Sequence, residues 1–361
     1  MKVGILTRRY GYNMGSSLQA FAMAEMIKNL GHDVRIINYD ESSAHPRWKI
    51  RPIIDHCLYR IRFLLPKELR SYLKHRHSQE VRFRKFEKCH FPLTKKRITG
   101  TTTLAVIAQE FDKIVVGSDQ IWNPFLYDPN YYGGFLSSEN RSKIIPYAPS
   151  IGVSEIKNLS QNEKKLIRSL DVLSCREKDG ADILSKISKK NVPVVLDPTL
   201  MVSKDIWNSL ADKYSQSGLD EPYILTYFLG SEIPNDEIRQ QAILKSAKIV
   251  NISMFNKPNS VKGDITCRDV GPGEFLYLVK NAKIVLTDSF HATIFSWIFS
   301  KNFIVVKRFK EDEKGNQNSR IYTLLNIMGC QSRLLHGNKK DEESQMLYYK
   351  SQSMDYLNEN L

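Results

Sequence analysis

The residues best suited by type and spacing to do chemistry lie in Leu286-Thr287-Asp288-Ser289-Phe290-His291-Ala292-Thr293. An apolar strand-like run, Ile284 to Thr287, delivers Asp288, Ser289 and His291 to the first turn of a helix. A helix N-terminus carries unpaired N–H groups and the positive end of the helix dipole, which suits an anion. Ser289 could cap that helix and also bind phosphate. His291 could give a proton to a substrate carbon or oxygen, because imidazole titrates near neutrality. The same letters also fit a purely structural account, with Ser289 as a cap and His291 as a hydrogen-bonded core residue.

Other candidates also sit just after apolar runs. Arg176 follows Val172 to Cys175 and precedes Glu177. Its guanidinium could clamp a phosphate or carboxylate with two hydrogen bonds, or simply pair with Glu177. Gly117-Ser118-Asp119-Gln120-Ile121-Trp122-Asn123-Pro124 follows Phe111 to Val116. Its Asp and Asn groups suit sugar hydroxyls, Trp122 could serve as a platform for a ring face, and Asp119 or Asp288 could act as a base. The stretch is equally readable as a capped turn. Lys307, Arg308, Lys310 and Arg320 could add positive charge to an anion site, and spacing alone does not choose among them. Gly11 and Gly15 do not match the dinucleotide-binding fingerprint, so a nicotinamide cofactor is excluded. Arg8 and Arg9 follow the first strand and could face a cleft or the surface.

These positions need elements behind them. Val3 to Leu6 reads as a strand, Ser16 to Leu30 as a helix closed by Gly31, and Val34 to Asn38 as a second strand. Strands follow at Phe111 to Val116, Lys143 to Ala148, Val172 to Cys175 and Val192 to Leu196. The second half repeats the alternation, with strands at Tyr223 to Phe228, Ile249 to Ser253, Ile284 to Thr287 and Phe303 to Val306. Helices are expected over Asp236 to Lys248, Gly273 to Asn281 and Ala292 to Ser300. Such alternation predicts an α/β fold with two Rossmann-like domains facing a cleft, at residues 1–195 and 196–336. A polar, helical tail covers 337–361. Ligands in these folds bind beyond the carboxyl ends of the strands, where every candidate above is found.

Bulk properties narrow the function further. The 361-residue chain carries a formal charge of +14, but the excess is local. Arg47 to Arg97 holds 16 Lys or Arg against four acids, a net of +12. This segment reads as basic amphipathic helices inserted in the first domain, broken at Pro66. A charge confined to one insert argues against a nucleic-acid partner. It suits peripheral contact with an anionic membrane surface, or with the diphosphate of a lipid-linked acceptor. Cys57, Cys89, Cys175, Cys267 and Cys330 show no metal or disulfide spacing, and no metal is expected. With no long apolar run and no cleavable leader, the protein is expected in the cytoplasm.

Taken together, several segments resemble the polysaccharide pyruvyl transferase family. They are Asn13-Met14-Gly15-Ser16-Ser17-Leu18-Gln19-Ala20, Phe111 to Pro124, Tyr147 to Gly152, Ser174 to Leu184, Val195 to Leu200, Ile284 to Phe299, and Asn318-Ser319-Arg320, in family order. The chain departs from the family pattern at Met14, where an aromatic residue is usual, and at Ala292, where glycine is common. The resemblance implies a GT-B-like fold and transfer from phosphoenolpyruvate to a sugar of a cell-surface glycan or its precursor, forming a pyruvate ketal. It implies that His291 is catalytic and Arg176 the phosphoenolpyruvate ligand; Asn13, Ser118, Ser289, Arg320 and Trp122 are expected as further substrate contacts. No cofactor beyond the donor is implied. The alternative on the same fold is a nucleotide-sugar glycosyltransferase.

Overall fold

The computed structural model describes residues 1–9, 11–41, 54–153, 155–215, 219, 221–253, 261, 263–310, 316–337 and 340–361. The start of the basic segment, including Arg47 and Ile53, lies outside the described residues.

The first domain has strands β1 (Lys2–Leu6), β2 (Asp33–Ile36), β3 (Lys113–Val116) and β4 (Ile144–Pro146). They form one parallel sheet in the order β2-β1-β3-β4. Its helices are α1 (Met14–Asn29), α2 (Lys67–His90), α3 (Thr101–Ile107), α4 (Gln161–Arg168) and α5 (Lys178–Ser188). The second domain begins with α6 (Lys204–Asp212) and continues with β5 (Tyr223–Tyr227), α7 (Asn235–Leu244), β6 (Lys248–Ile252) and β7 (Ile265–Cys267). Helix α8 (Pro272–Asn281), β8 (Ile284–Thr287), α9 (Phe290–Ile298), β9 (Asn302–Val305) and α10 (Ser319–Met328) complete it. Its parallel sheet runs β7-β6-β5-β8-β9. A last helix, α11 (Met346–Asn360), closes the chain.

The central strands β1, β3, β5 and β8 are buried on both faces, as parallel strands covered by helices on each side must be, whereas the edge strand β2 exposes Asp33 and Arg35. Val3 and Ile5 of β1 face α1, and Leu6 faces the opposite core with Ile114 and Val116. The α1 core does not stop at the domain boundary. Phe21 of α1 meets Trp207 of α6 with ring centroids 5.5 Å apart, and Trp207 meets Phe295 of α9 at 4.8 Å. One buried apolar layer therefore joins both sheets.

Two expected strands are not regular strands. Residues 172–175 and 192–196 are extended, but they share a single parallel bridge between Cys175 and Val194. The reason lies in Pro146, which has no N–H to extend the ladder beyond β4. Ser174 bridges the gap instead: its hydroxyl donates to Pro146 O (2.8 Å) and accepts from Ala148 N (3.1 Å).

The basic insert also departs from expectation. Its first helix, residues 54–60, ends well before Pro66, which instead stands at the N-cap of α2. Helix α2 does not lie over the first domain alone. Gln79 donates to Val270 O (3.2 Å), Ser78 to Asp269 (2.7 Å), and Arg82 pairs with Glu274 (3.3 Å), all in the second domain. Helix α11 fastens the chain end to the first domain: Gln352 donates to Val194 O (2.8 Å), Tyr356 donates to Pro146 O (2.7 Å), and the Ser353 hydroxyl accepts from Leu196 N (2.9 Å).

Both sheets reverse their strand order once, between β1 and β3 and between β5 and β8. These topological switch points open a crevice at the carboxyl ends of the strands. The segments leaving them are α1 and residues 117–119 on one side, and residues 228–230 and 288–291 on the other.

Candidate active site

The two crevices meet at His291. It occupies the first turn of α9, whose N-cap is Ser289, with the Ser289 hydroxyl accepting from Ala292 N (3.4 Å). Its ring crosses to the first domain and packs on the first turn of α1. A Cβ at Gly15 would lie 1.9 Å from His291 Nδ1, so only glycine admits the imidazole there. That leaves Nε2 directed at Asp197, 3.5 Å from its Oδ2.

Asp197 is the hub. Its side chain is wholly buried, and Oδ2 also accepts from Arg176 Nη1 (2.7 Å) and from the Ser118 hydroxyl (3.3 Å). Oδ1 accepts from the Thr199 amide (3.0 Å) and hydroxyl (2.6 Å). Burial opposes its charge, but His291, Arg176 and Thr199 together hold this carboxyl well below the usual carboxylate range.

Arg176 reaches the same point from the first domain. It is buried, lies 4.3 Å above the Phe290 ring, and approaches Asp119 at 3.7 Å. Burial works against its charge, but Asp197, Asp119 and Glu177 more than restore it. Asp119, with φ of +67°, accepts from the hydroxyl of Ser16 (2.5 Å) in α1. Desolvation is again outweighed, here by Arg176, His291 and Ser16, so Asp119 also titrates below the usual range.

Arg320, in the first turn of α10, adds a less compensated charge. It is buried, donates to Gln317 Oε1 (2.7 Å), and its pKa is pushed down to about 9 by burial and by the charges of Arg176 and Arg308. Arg176 immediately precedes α5, so four helix N-termini, those of α1, α5, α9 and α10, carry this cluster. Their dipoles add further positive potential. Within this cluster Arg176 Nε and Nη2 and His291 Nε2 are buried without a hydrogen-bond partner. Buried nitrogens left unbonded are rare and point to a ligand. The arrangement can hold a small polyanion against an imidazole.

The structure thus brings Asp119, Arg176, His291 and Arg320 together. The other candidates take structural roles, some of them beside this cluster and some apart from it. Trp122 is fully buried, stacks on Tyr132 at 5.1 Å and donates to Tyr131 O (2.9 Å), so it is a core residue and not a platform for a sugar ring. Asp288 is sealed inside the second domain, where it accepts from the amides of Leu229 (2.7 Å) and Gly230 (2.5 Å) and pairs with Arg308 (3.5 Å). It anchors a loop and is not exposed to act as a base. Ser118 is fully buried behind Asp197, donating to Ala148 O (2.8 Å), rather than in ligand reach. Ser289 is the cap of α9. Asn13 is the exposed N-cap of α1, accepting from Ser16 N (3.2 Å), at the rim of the crevice. Arg8 and Arg9 are buried and paired, Arg8 with Glu41 (2.9 Å) and Arg9 with Glu87 (2.9 Å).

Asp197 was not singled out from the sequence. Its signals are its place after the run 192–196 and within the resembling segment Val195 to Leu200. Gly15 and Ser16 were read as turn and helix start.

Comparison with known proteins follows the same geometry. A family model described as polysaccharide pyruvyl transferase matches residues 13–308. No curated protein matches the chain significantly. Among solved structures, the chain is similar to a UDP-GlcNAc 2-epimerase from Methanocaldococcus jannaschii, with a TM-score of 0.51 and 13% identity over 99% of this chain and 100% of the other. A UDP-GlcNAc 2-epimerase from Neisseria meningitidis bound to UDP-GlcNAc has a TM-score of 0.50 and 13% identity over the same shares. At these identities the likeness speaks to fold, which is GT-B-like.

Proposed function

This chain belongs to the polysaccharide pyruvyl transferase family, and from that premise we propose that it moves the enolpyruvyl group of phosphoenolpyruvate onto a saccharide, releasing phosphate and forming a pyruvate ketal. The observation that carries the reading is the set of buried, unbonded nitrogens on Arg176 and His291 beside the strained charge of Arg320. Phosphoenolpyruvate carries a phosphate and a carboxylate on adjacent groups. Arg176 and Arg320 supply two cations for them, and a guanidinium binds either group in bidentate fashion.

In this scheme His291 Nε2 protonates the methylene carbon, which becomes the methyl group. The neighbouring carbon turns electrophilic and accepts one acceptor hydroxyl. Phosphate leaves with the C–O bond electrons, and a second hydroxyl closes the ketal. Of the two hydroxyl protons, one restores His291 and the other departs on phosphate. Asp197 holds the imidazole and the guanidinium in register. Asp119 is the carboxylate at the site that takes the first hydroxyl's proton and passes it to the departing phosphate. The acceptor is a sugar of a cell-surface glycan or its lipid-linked precursor, and the reaction needs no metal.

The test is phosphate release from phosphoenolpyruvate with a panel of galactose, mannose, glucuronic acid and N-acetylhexosamine acceptors. Acceptor-dependent release that His291→Ala abolishes supports the reading. Release of a nucleoside diphosphate from a sugar nucleotide, with none from phosphoenolpyruvate, would instead identify a glycosyltransferase.

A further inference from the structure

Among the described residues, the basic insert carries large apolar side chains that stand exposed. Ile54 (49% exposed), Ile61 (49%), Phe63 (66%) and Leu64 (86%) lie within eleven residues of one another. Large apolar side chains on a soluble surface usually stand singly, and a cluster marks a binding face. This cluster is also ordered. Arg62 lies 4.1 Å over the Tyr59 ring and 4.3 Å over the Phe63 ring, and donates to Tyr59 O (2.8 Å). Arg70 donates to Phe63 O (3.0 Å), holding the turn from the start of α2.

On the same segment stand the exposed cations Arg60, Lys67, Arg70 and Lys74. Of the two acids nearby, Asp55 is already paired with Arg76 (2.6 Å). Apolar side chains ringed by Lys and Arg, whose long stems let the charge reach outward, match a bilayer with anionic headgroups. A protein partner with an acidic rim is the competing occupant, but four exposed cations beside four exposed apolar side chains on one short segment match a bilayer, which offers headgroup charge and hydrocarbon together.

The geometry points to residues 54–74 as a docking element for an anionic lipid surface, with α2 as a strut to the active site. Arg76 of α2 lies 5.7 Å from the Tyr12 ring centre, and Phe83 packs on Tyr12 at 5.6 Å. Tyr12 adjoins Asn13, at the head of the helix that touches His291. From Lys67 to Arg76 the helix spans about 15 Å at 1.5 Å per residue. Docking would hold the crevice mouth near the headgroups, where a lipid-linked saccharide presents its sugars. That use rests on the pyruvyl reading; the docking itself does not.

The experiment is co-sedimentation of the full chain with vesicles of phosphatidylcholine alone or with phosphatidylglycerol. Binding is expected only with phosphatidylglycerol, weakening steeply with salt. Phe63→Ser with Leu64→Ser should weaken it at least tenfold, and Arg60→Ala with Lys67→Ala and Lys74→Ala likewise, while both variants keep the wild-type melting temperature and phosphate release with soluble acceptor. Absence of binding to anionic vesicles, or binding indifferent to the Phe63 and Leu64 changes, overturns the proposal. So does a dimer in solution that those two changes dissociate, since these side chains would then be covered by a second copy.

Discussion

At the residue scale, the site is two carboxylates holding a guanidinium and an imidazole, with the second guanidinium of Arg320 beside them, and these groups respond differently to mutation. Replacing His291 by Gln removes the proton donor and leaves the clamp. We expect kcat to fall by roughly 10²–10⁴, the usual worth of a general acid, with phosphoenolpyruvate still raising the melting temperature. Gly15→Ala should act through the same group, since its methyl would occupy the space of Nδ1. Arg320 behaves in the opposite sense. Its folded pKa is pushed down to about 9, well below that of an arginine in the unfolded chain, so the native state carries a charge it disfavours at every pH below about 9. Stability therefore rises as pH climbs past about 9, and it rises at neutral pH if the charge is removed. Arg320→Gln should raise the melting temperature of the ligand-free protein by a few degrees, while phosphoenolpyruvate stabilises the variant less than wild type. Calorimetry with and without the ligand reads both effects.

Asp197 and Asp119 follow the depressed-carboxylate rule. Their folded pKa values lie below the ordinary value near 4, so their contribution is present above that pH and is lost as pH falls through the folded values. Asp197→Asn leaves Arg176 buried with one fewer partner and should cost roughly 3–5 kcal/mol at neutral pH. The loss of stability between pH 4 and 2 should be shallower in the variant. Because Asp197 acts through His291 and Arg176, it should also move the pH–kcat profile, which a purely structural residue would not.

At the element scale, the long periodic runs were readable and the strand ends were not. Ile284 to Thr287 is β8 as read, and α1, α8 and β5 fall within a residue or two at each end. The extended runs around Cys175 and Val194 looked identical in sequence to strands. What kept them out of the sheet was one proline and one serine hydroxyl. β7 was missed because Ile265-Thr266-Cys267 is too short to show a period. Trp122 was misread for a related reason: an aromatic beside polar turn residues has the same letters whether its ring faces a ligand or Tyr132. Asp197 is far in sequence from both groups it unites, so no local pattern could show that union. Helix α11 gives a direct test of element packing. Leu357 is fully buried and Ser353 bonds Leu196 N, so Leu357→Ala should cost roughly 2–5 kcal/mol by urea unfolding. Ser353→Ala should cost less.

At the scale of the whole molecule, the site exists only where the two domains touch. Arg176, Asp119 and Asp197 come from one side and His291 and Arg320 from the other, while the apolar layer through Phe21, Trp207 and Phe295 keeps them together. Helix α2 ties the domains a second time through Val270, Asp269 and Glu274. A fold shared with UDP-GlcNAc 2-epimerases supplies the crevice. The chemistry depends on which side chains the switch points hold, and here they hold guanidinium groups beside an imidazole.

On the proposed reading, this crevice binds phosphoenolpyruvate through Arg176 and presents it to His291. Isothermal titration of the full chain with phosphoenolpyruvate, beside Arg176→Lys, His291→Gln and a parallel titration with UDP, tests it most directly. The account predicts saturable binding by wild type, near-equal binding by His291→Gln, at least tenfold weaker binding by Arg176→Lys because the bidentate fork is lost, and none of comparable strength for UDP. Binding of UDP with no heat from phosphoenolpyruvate would contradict it.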